Sequence, residues 1–281
     1  MRELHVEKLT ECVKQLFLQA NFQIGQDVEA AVCRACETEE SPCGRDVLCQ
    51  IKENYRIARE ERVAICQDTG MAVLFLEIGQ DVHFMGGVFE EAIHEGVRKA
   101  YAEGYLRKSV VSDPLFDRKN TGDNTPAVIH TRIVPGDKVH LLATAKGFGS
   151  ENMSAVKMLV AADGEEGVLR FIVDTVKKAG PNPCPPVIVG VGIGGTMEQA
   201  ALMAKKMTAR PLDTWNKDSR YRALEEKALR LINGLGIGPA GIGGRTTALK
   251  VNIEYAPTHI AGMPVALNMC CHAARHAEMT L

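Results

Sequence analysis

The chain has 281 residues, 46% of them hydrophobic, which is enough to bury the core of one large domain or two small ones. Lys and Arg number 33 against 35 Asp and Glu, a net charge of −2 with no block of like charges, and this argues against a nucleic-acid footprint or a polybasic membrane patch. Nowhere do about eighteen apolar residues run together, and the charged start is unlike a signal peptide, so a cytoplasmic protein without membrane or nucleic-acid partners is expected.

Residues 3–20 place Val6, Leu9, Val13, Leu16, Phe17 and Ala20 at steps of three and four, which predicts an amphipathic helix. Helices from Asp27 to Glu39 and from Arg45 to Arg59 follow, separated at Ser41-Pro42, so that residues 1–60 read as a helical cap. Residues 61–281 read as a mixed core. Short strands are expected at Val63–Ile65 and Ala72–Ile78, a helix at Phe89–Glu103, and a long polar loop over Arg107–Thr125. Ala127–Val134 and Lys138–Ala145, joined by Pro135-Gly136-Asp137, have the form of an antiparallel hairpin. Residues 153–179 suggest two helices broken at Asp163-Gly164. A buried strand at Val187–Val191, a glycine loop, helices at Met197–Met207 and Ala223–Ile232, and a strand at Thr246–Tyr255 complete the reading. Strands and helices do not alternate strictly, so the fold class expected is α+β, a single domain with largely antiparallel sheets and no dividing linker.

Nine cysteines are too many for an intracellular chain to pass over, and too odd a number for a disulfide framework. Cys33 and Cys36 form the one C-x-x-C pair, but it lies inside a predicted helix without a second pair at zinc-site spacing, so it reads as packing. Cys12 and Cys49 fall among apolar helical positions and Cys43 near a helix start, where a thiol packs as a small hydrophobe. The other four stand at chain breaks. Cys66 opens Cys66-Gln67-Asp68-Thr69-Gly70, Cys184 is held rigid by four prolines in Pro181-Asn182-Pro183-Cys184-Pro185-Pro186, and Cys270 and Cys271 precede His272-Ala273-Ala274-Arg275. Three converging thiolates could hold a [4Fe–4S] cluster and leave one iron open as a Lewis acid, although separations of 118 and 87 residues follow no local rule.

These three segments resemble the cluster segments of the class I fumarate hydratases and the related L(+)-tartrate dehydratases. Leu106-Arg107-Lys108-Ser109, Asn120–Pro126, Lys146–Asn152, Gly192–Thr196 and the stretch from Gly236 to Asn268 resemble further family segments, in family order from about residue 60 onward. The resemblance implies a hydro-lyase whose [4Fe–4S] cluster is bound by Cys66, Cys184 and Cys271, with Cys271 preferred over Cys270 because the family cysteine directly precedes the His-Ala pair. It also implies substrate contacts from Gln67, Arg107 and Gly149, and proton handling by Asp68 with His259. Phe148 stands where a glycine is usual. Single-chain members continue into a second domain, so this chain is expected to be an α subunit whose active site is completed by a β subunit.

The chemistry expected is reversible hydration of fumarate to L-malate, with tartrate dehydration as the alternative short dicarboxylate reaction. Arg107 can clamp a carboxylate through its fork, backbone N–H groups near Gly149 can donate to an oxygen carrying negative charge, and an imidazole beside a carboxylate forms an acid–base pair. The residues also admit plainer roles, since Asp before Thr-Gly commonly organises a turn and a His after a strand is commonly structural. Gly190-Val191-Gly192-Ile193-Gly194-Gly195 fits the dinucleotide fingerprint, yet Arg210–Trp215 lacks the second strand with its acidic end that such a site needs. A non-enzymatic iron–sulfur or zinc protein is the remaining rival.

Overall fold

Helix α1 (Val6–Phe22) buries Leu9, Val13, Leu16, Phe17 and Ala20 in a computed structural model that describes all residues, Met1–Leu281. The first residues are not helical. Arg2–His5 form strand β1, which pairs in parallel with β3 and so takes its backbone partners from a neighbouring strand. Helices α2 (Gln26–Thr38) and α3 (Pro42–Glu61) follow. No strand forms at 63–65, because Val63 N–H donates back to Ala58 O and Ile65 N–H to Asn21 O, so these groups serve helices rather than a sheet. Next come β2 (Met71–Gly79), β3 (Val82–Met85), α4 (Phe89–Glu103), β4 (Val128–Val134), β5 (Val139–Lys146) and the short α5 (Phe148–Glu151).

The remaining elements are β6 (Ala155–Leu159), a 3-10 turn over Ala161–Asp163, α6 (Gly164–Ala179), β7 (Val187–Gly194), α7 (Met197–Met207), α8 (Ser219–Asn233), a turn at Pro239–Gly241, β8 (Ala248–Ala256), β9 (Met263–Cys270) and β10 (His276–Thr280). The helix expected after residue 153 is instead β6, an edge strand paired antiparallel with β9; β9 and β10 themselves were not anticipated. Four of the seven strand pairings are antiparallel and three parallel, in keeping with an α+β fold of mixed sheets.

The chain divides into two compact units. The first comprises Met1–Gly25, Tyr55–Phe148 and Arg275–Leu281, and the second Gln26–Asn54 and Gly149–Ala274. In the first unit the sheet order is β10-β5-β2-β4, with α1 against β10 and β5 and α4 packed on α1. The expected hairpin between β4 and β5 does not form, because β2 lies between them, parallel to β4 and antiparallel to β5. The physical reason is burial. β2 is apolar on both faces and almost wholly buried, whereas β4 has no buried residue and suits an edge. The turn over 135–138 still closes the end of the sheet, where Gly79 lies so near Gly136 that a Cβ would sit 2.4 Å from its carbonyl oxygen.

In the second unit the sheet order is β6-β9-β7-β8, with β7 central and fully buried. Gly192 and Gly194, expected in a glycine loop after the strand, lie within it. A Cβ on Gly190 or Gly192 would come within 2.1 Å of the carbonyl oxygens of Ala204 and Ala200, so both glycines serve the close packing of α7 on the sheet. That arrangement differs from a dinucleotide loop, whose glycines leave the strand to cradle a pyrophosphate.

Candidate active site

Within the first unit, the segment Cys66–Gly70 leads into β2 and is held from several directions. Gly70 (φ +76°) has backbone atoms of Ala145 and Lys146 within 2.8 Å of where a Cβ would lie, so only glycine fits without displacement. The buried Tyr101 hydroxyl donates to Thr69 O at 2.8 Å and Gly70 O at 3.0 Å, and burial pushes its phenol well above the usual range, so it remains a donor. Asn124, fully buried and left-handed (φ +63°), donates to Gly70 O and accepts from Ser109 N–H at 2.7 Å. Thr69 Oγ1 donates to Arg107 O at 2.8 Å, fixing the backbone from which the exposed Arg107 side chain extends.

Asp68 lies at the centre of this arrangement. Its Oδ1 accepts from Gly70 N–H at 3.0 Å and its Oδ2 from Phe148 N–H at 2.9 Å, and Arg275 donates through Nη1 to the Asp68 carbonyl. A carboxylate carries about four lone-pair sites, so two backbone donors orient Asp68 without using up its capacity. Gln67 beside it is exposed and Cys66 partly so. Gly147 lies against Asp68 and Arg275, at the end of β5 that pairs with the start of β2.

Within the second unit, Cys184 has a left-handed backbone (φ +54°), a conformation costly for a side-chain-bearing residue, and its exposed thiol stands three residues before β7. Cys270 closes β9 opposite Ile188 of β7, and Cys271 follows directly. The structure therefore places Cys184 and Cys271 at the same end of the β7–β9 ladder. Gly149 is exposed, and a Cβ added there would meet only Asn182 O, 3.7 Å away. Glu151 ties this segment down, bridging to Lys205 of α7 and accepting from Asn268 Nδ2 of β9 at 2.9 Å. An open pocket of about 450 Å³ adjoins it, lined by Asn152, Ser154, Lys157, Lys178 and Asn182 among others.

His259 is not brought to this end. It lies exposed in the turn between β8 and β9, its Nδ1 accepting from Ala261 N–H at 3.2 Å, and Thr258 next to it bonds Gly195 O beyond the far end of β7. The length of β7, roughly 20 Å, separates that turn from Cys184 and Cys271.

All nine cysteines are thiols rather than disulfides, and Cys66, Cys184 and Cys271 are at least partly exposed on irregular backbone, a donor chemistry that suits thiolate ligation of an iron–sulfur group. No three His, Cys, Asp or Glu side chains crowd closely enough to hold a single metal ion. No helix is long and apolar enough to cross a membrane. Tyr101, Asn124, Arg275 and the Glu151–Lys205–Asn268 network carried no role in the sequence reading. Only Asn124, Glu151, Asn268 and Arg275 had a signal there, as members of the quoted motifs.

The profile of the family described as Fumarate hydratase (Fumerase) matches residues 10–280. A Methanocaldococcus jannaschii protein named "Putative L(+)-tartrate dehydratase subunit alpha" is 40% identical over 275 residues, covering 96% of each chain. The Escherichia coli (strain K12) and Shigella sonnei proteins named L(+)-tartrate dehydratase subunit alpha are each 30% identical over 285 residues, covering 98% of this chain and 93% of theirs. Matched over nearly its whole length, the chain belongs to the fumarate hydratase (Fumerase) family.

Proposed function

We propose that this chain is the cluster-bearing α subunit of an iron–sulfur hydro-lyase that adds water to, or removes it from, a short dicarboxylic acid, in partnership with a separate β subunit. Membership of the family makes it part of a hydro-lyase, and its relatives' names as alpha subunits support the partner. The observation that carries the reading is the gathering of Cys184 and Cys271 at one end of the β7–β9 ladder. Cys66, Cys184 and Cys271 would hold the [4Fe–4S] cluster. Held by three thiolates, the group would supply Lewis-acid chemistry toward the oxygens of the acid.

The chain's own residues orient the acid and handle protons. Arg107 offers a planar fork to the carboxylate remote from the reacting carbons, and Gln67 a neutral hydrogen-bonding partner. Asp68, clamped by the N–H groups of Gly70 and Phe148, keeps lone pairs available to take up or return the proton of the departing water. Exposed backbone at Gly149 allows close approach of substrate oxygen, and Glu151 keeps that segment in place through α7 and β9. His259, at the other end of its sheet, is assigned to proton handling by resemblance.

Fumarate and L-malate are the substrates we assign first, after the family's description; the second reading, L(+)-tartrate, is favoured by the relatives' names. Anaerobic co-purification with the β chain, followed by kcat/KM for L-malate and L(+)-tartrate, decides between them. Dehydration of neither acid by an iron–sulfur-replete complex would overturn the assignment. In the same assay, Asp68→Asn is expected to lower kcat by 10²-fold or more, at about the scale of a lost acid–base group.

A further inference from the structure

Six cysteines lie outside the proposed ligand set, and four of them fall on α2 and α3. Cys33 and Cys36, the pair that the sequence motif singles out, are not the pair that meets. Cys36 Sγ on α2 lies 2.8 Å from Cys49 Sγ on α3, well inside the ordinary non-bonded separation of two sulfurs. The Cys36 thiol also reaches towards Arg45 O at 3.9 Å. Cys49 is exposed and Cys36 half-buried, so a small reagent can reach the pair. Both residues belong to the second unit, and neither takes part in the chemistry proposed above.

We propose that Cys36 and Cys49 form a redox-modification site, a dithiol that closes reversibly to a disulfide by exchange with a low-molecular-weight disulfide such as oxidised glutathione. The exposed Cys49 thiolate attacks one sulfur of the reagent, forming a mixed disulfide and releasing one small thiol. Cys36 then loses its proton to solvent and attacks Cys49 Sγ, forming the intramolecular bond and expelling the second small thiol, which recovers a proton. Two protein thiols are oxidised and one reagent disulfide is reduced to two thiols. In the reduced pair, burial first, and then the hydrogen bond and charge of Cys49, push the Cys36 thiol up to about 11, which leaves the first attack to Cys49; in the second step the sulfur that Cys36 attacks is already adjacent. The bond would join α2 to α3 across the link at Glu39–Ser41 and restrain the turn in which the Glu39 carboxylate is buried.

The test treats the reduced full chain with oxidised glutathione, alkylates the remaining thiols and maps tryptic peptides. Ala35–Arg45, which carries Cys36 and Cys43, is expected to be cross-linked to Asp46–Lys52, which carries Cys49, at a mass about two hydrogens below the sum of the two peptides. The cross-link should persist in Cys33→Ser and Cys43→Ser, vanish in Cys36→Ser, and raise the melting temperature of the oxidised wild-type chain over that of the reduced one. A cross-link that survives Cys36→Ser, or a glutathione adduct left at Cys49 without closure, would overturn the proposal. Because the readout is a peptide mass, it stands or falls independently of the hydro-lyase assignment.

Discussion

Cys184 is the residue at which conformation and proposed chemistry meet most closely. Its positive φ turns the thiol out of a proline-rigid segment, a backbone state that a thiol serving only as packing has no need to adopt. Cys184→Ser is therefore expected to abolish the visible iron–sulfur absorbance after anaerobic reconstitution, and Cys36→Ser to leave it unchanged. Equal loss from both would break the assignment. Much at this scale was legible beforehand, because prolines, glycines and thiols impose their constraints locally. Asp68 was readable as a turn-former, and its bond to Gly70 N–H has that form. Its bond to Phe148 N–H, 80 residues away, and its contact with Arg275 depend on strand register and could not be read from neighbours in sequence.

At the scale of elements, the α2–α3 turn and the β7–α7 packing each carry an energetic consequence. Burial, the largest influence on Glu39, pushes its carboxyl up, but the backbone N–H groups of Arg245, Ser41 and Thr246 together outweigh it and hold the group down to about 2 from the usual 4.5. A depressed carboxylate stabilises the fold above its unfolded pKa, so this contribution, roughly 3 kcal/mol by linkage, is complete above about pH 4.5 and is lost as pH falls towards 2. Glu39→Gln is expected to lower stability at pH 7 by about 1–3 kcal/mol in denaturant melts, with the difference from wild type shrinking through that acid window. A constant difference at all pH values would show that the charge is not responsible. Gly192→Ala should force α7 off the sheet and cost about 3 kcal/mol or more, seen as a lower urea midpoint, since the obstacle is the Ala200 carbonyl rather than a side chain that can swing away.

The same scale shows where pattern reading failed. β4 and β5 carry the alternation and turn of a hairpin, yet which strands pair depends on which is apolar enough to be buried on both faces, and β2 takes the centre. β6 was read as helix because its partner β9 was not recognised, and a short edge strand has little character without the ladder that holds it. Cys49 was read as packed among apolar positions and is exposed, because the buried face of α3 is set by the elements it meets.

For the whole molecule, the proposal requires an exchangeable iron, and this makes oxygen a reagent. Activity of the αβ complex is expected to decay in air and to return on anaerobic treatment with iron, sulfide and a thiol; full activity after long aerobic handling would count against an open cluster. The sequence by itself determined the α+β class, the three thiol-bearing breaks and the family likeness, since composition, turn chemistry and motif order are local or additive properties. Only the tertiary structure decided that Cys184 and Cys271 share one end of a ladder, that His259 lies at the other, and that Cys36 faces Cys49 rather than Cys33. Those facts follow from strand register and helix packing, in which residues far apart in the chain compete for the same buried positions.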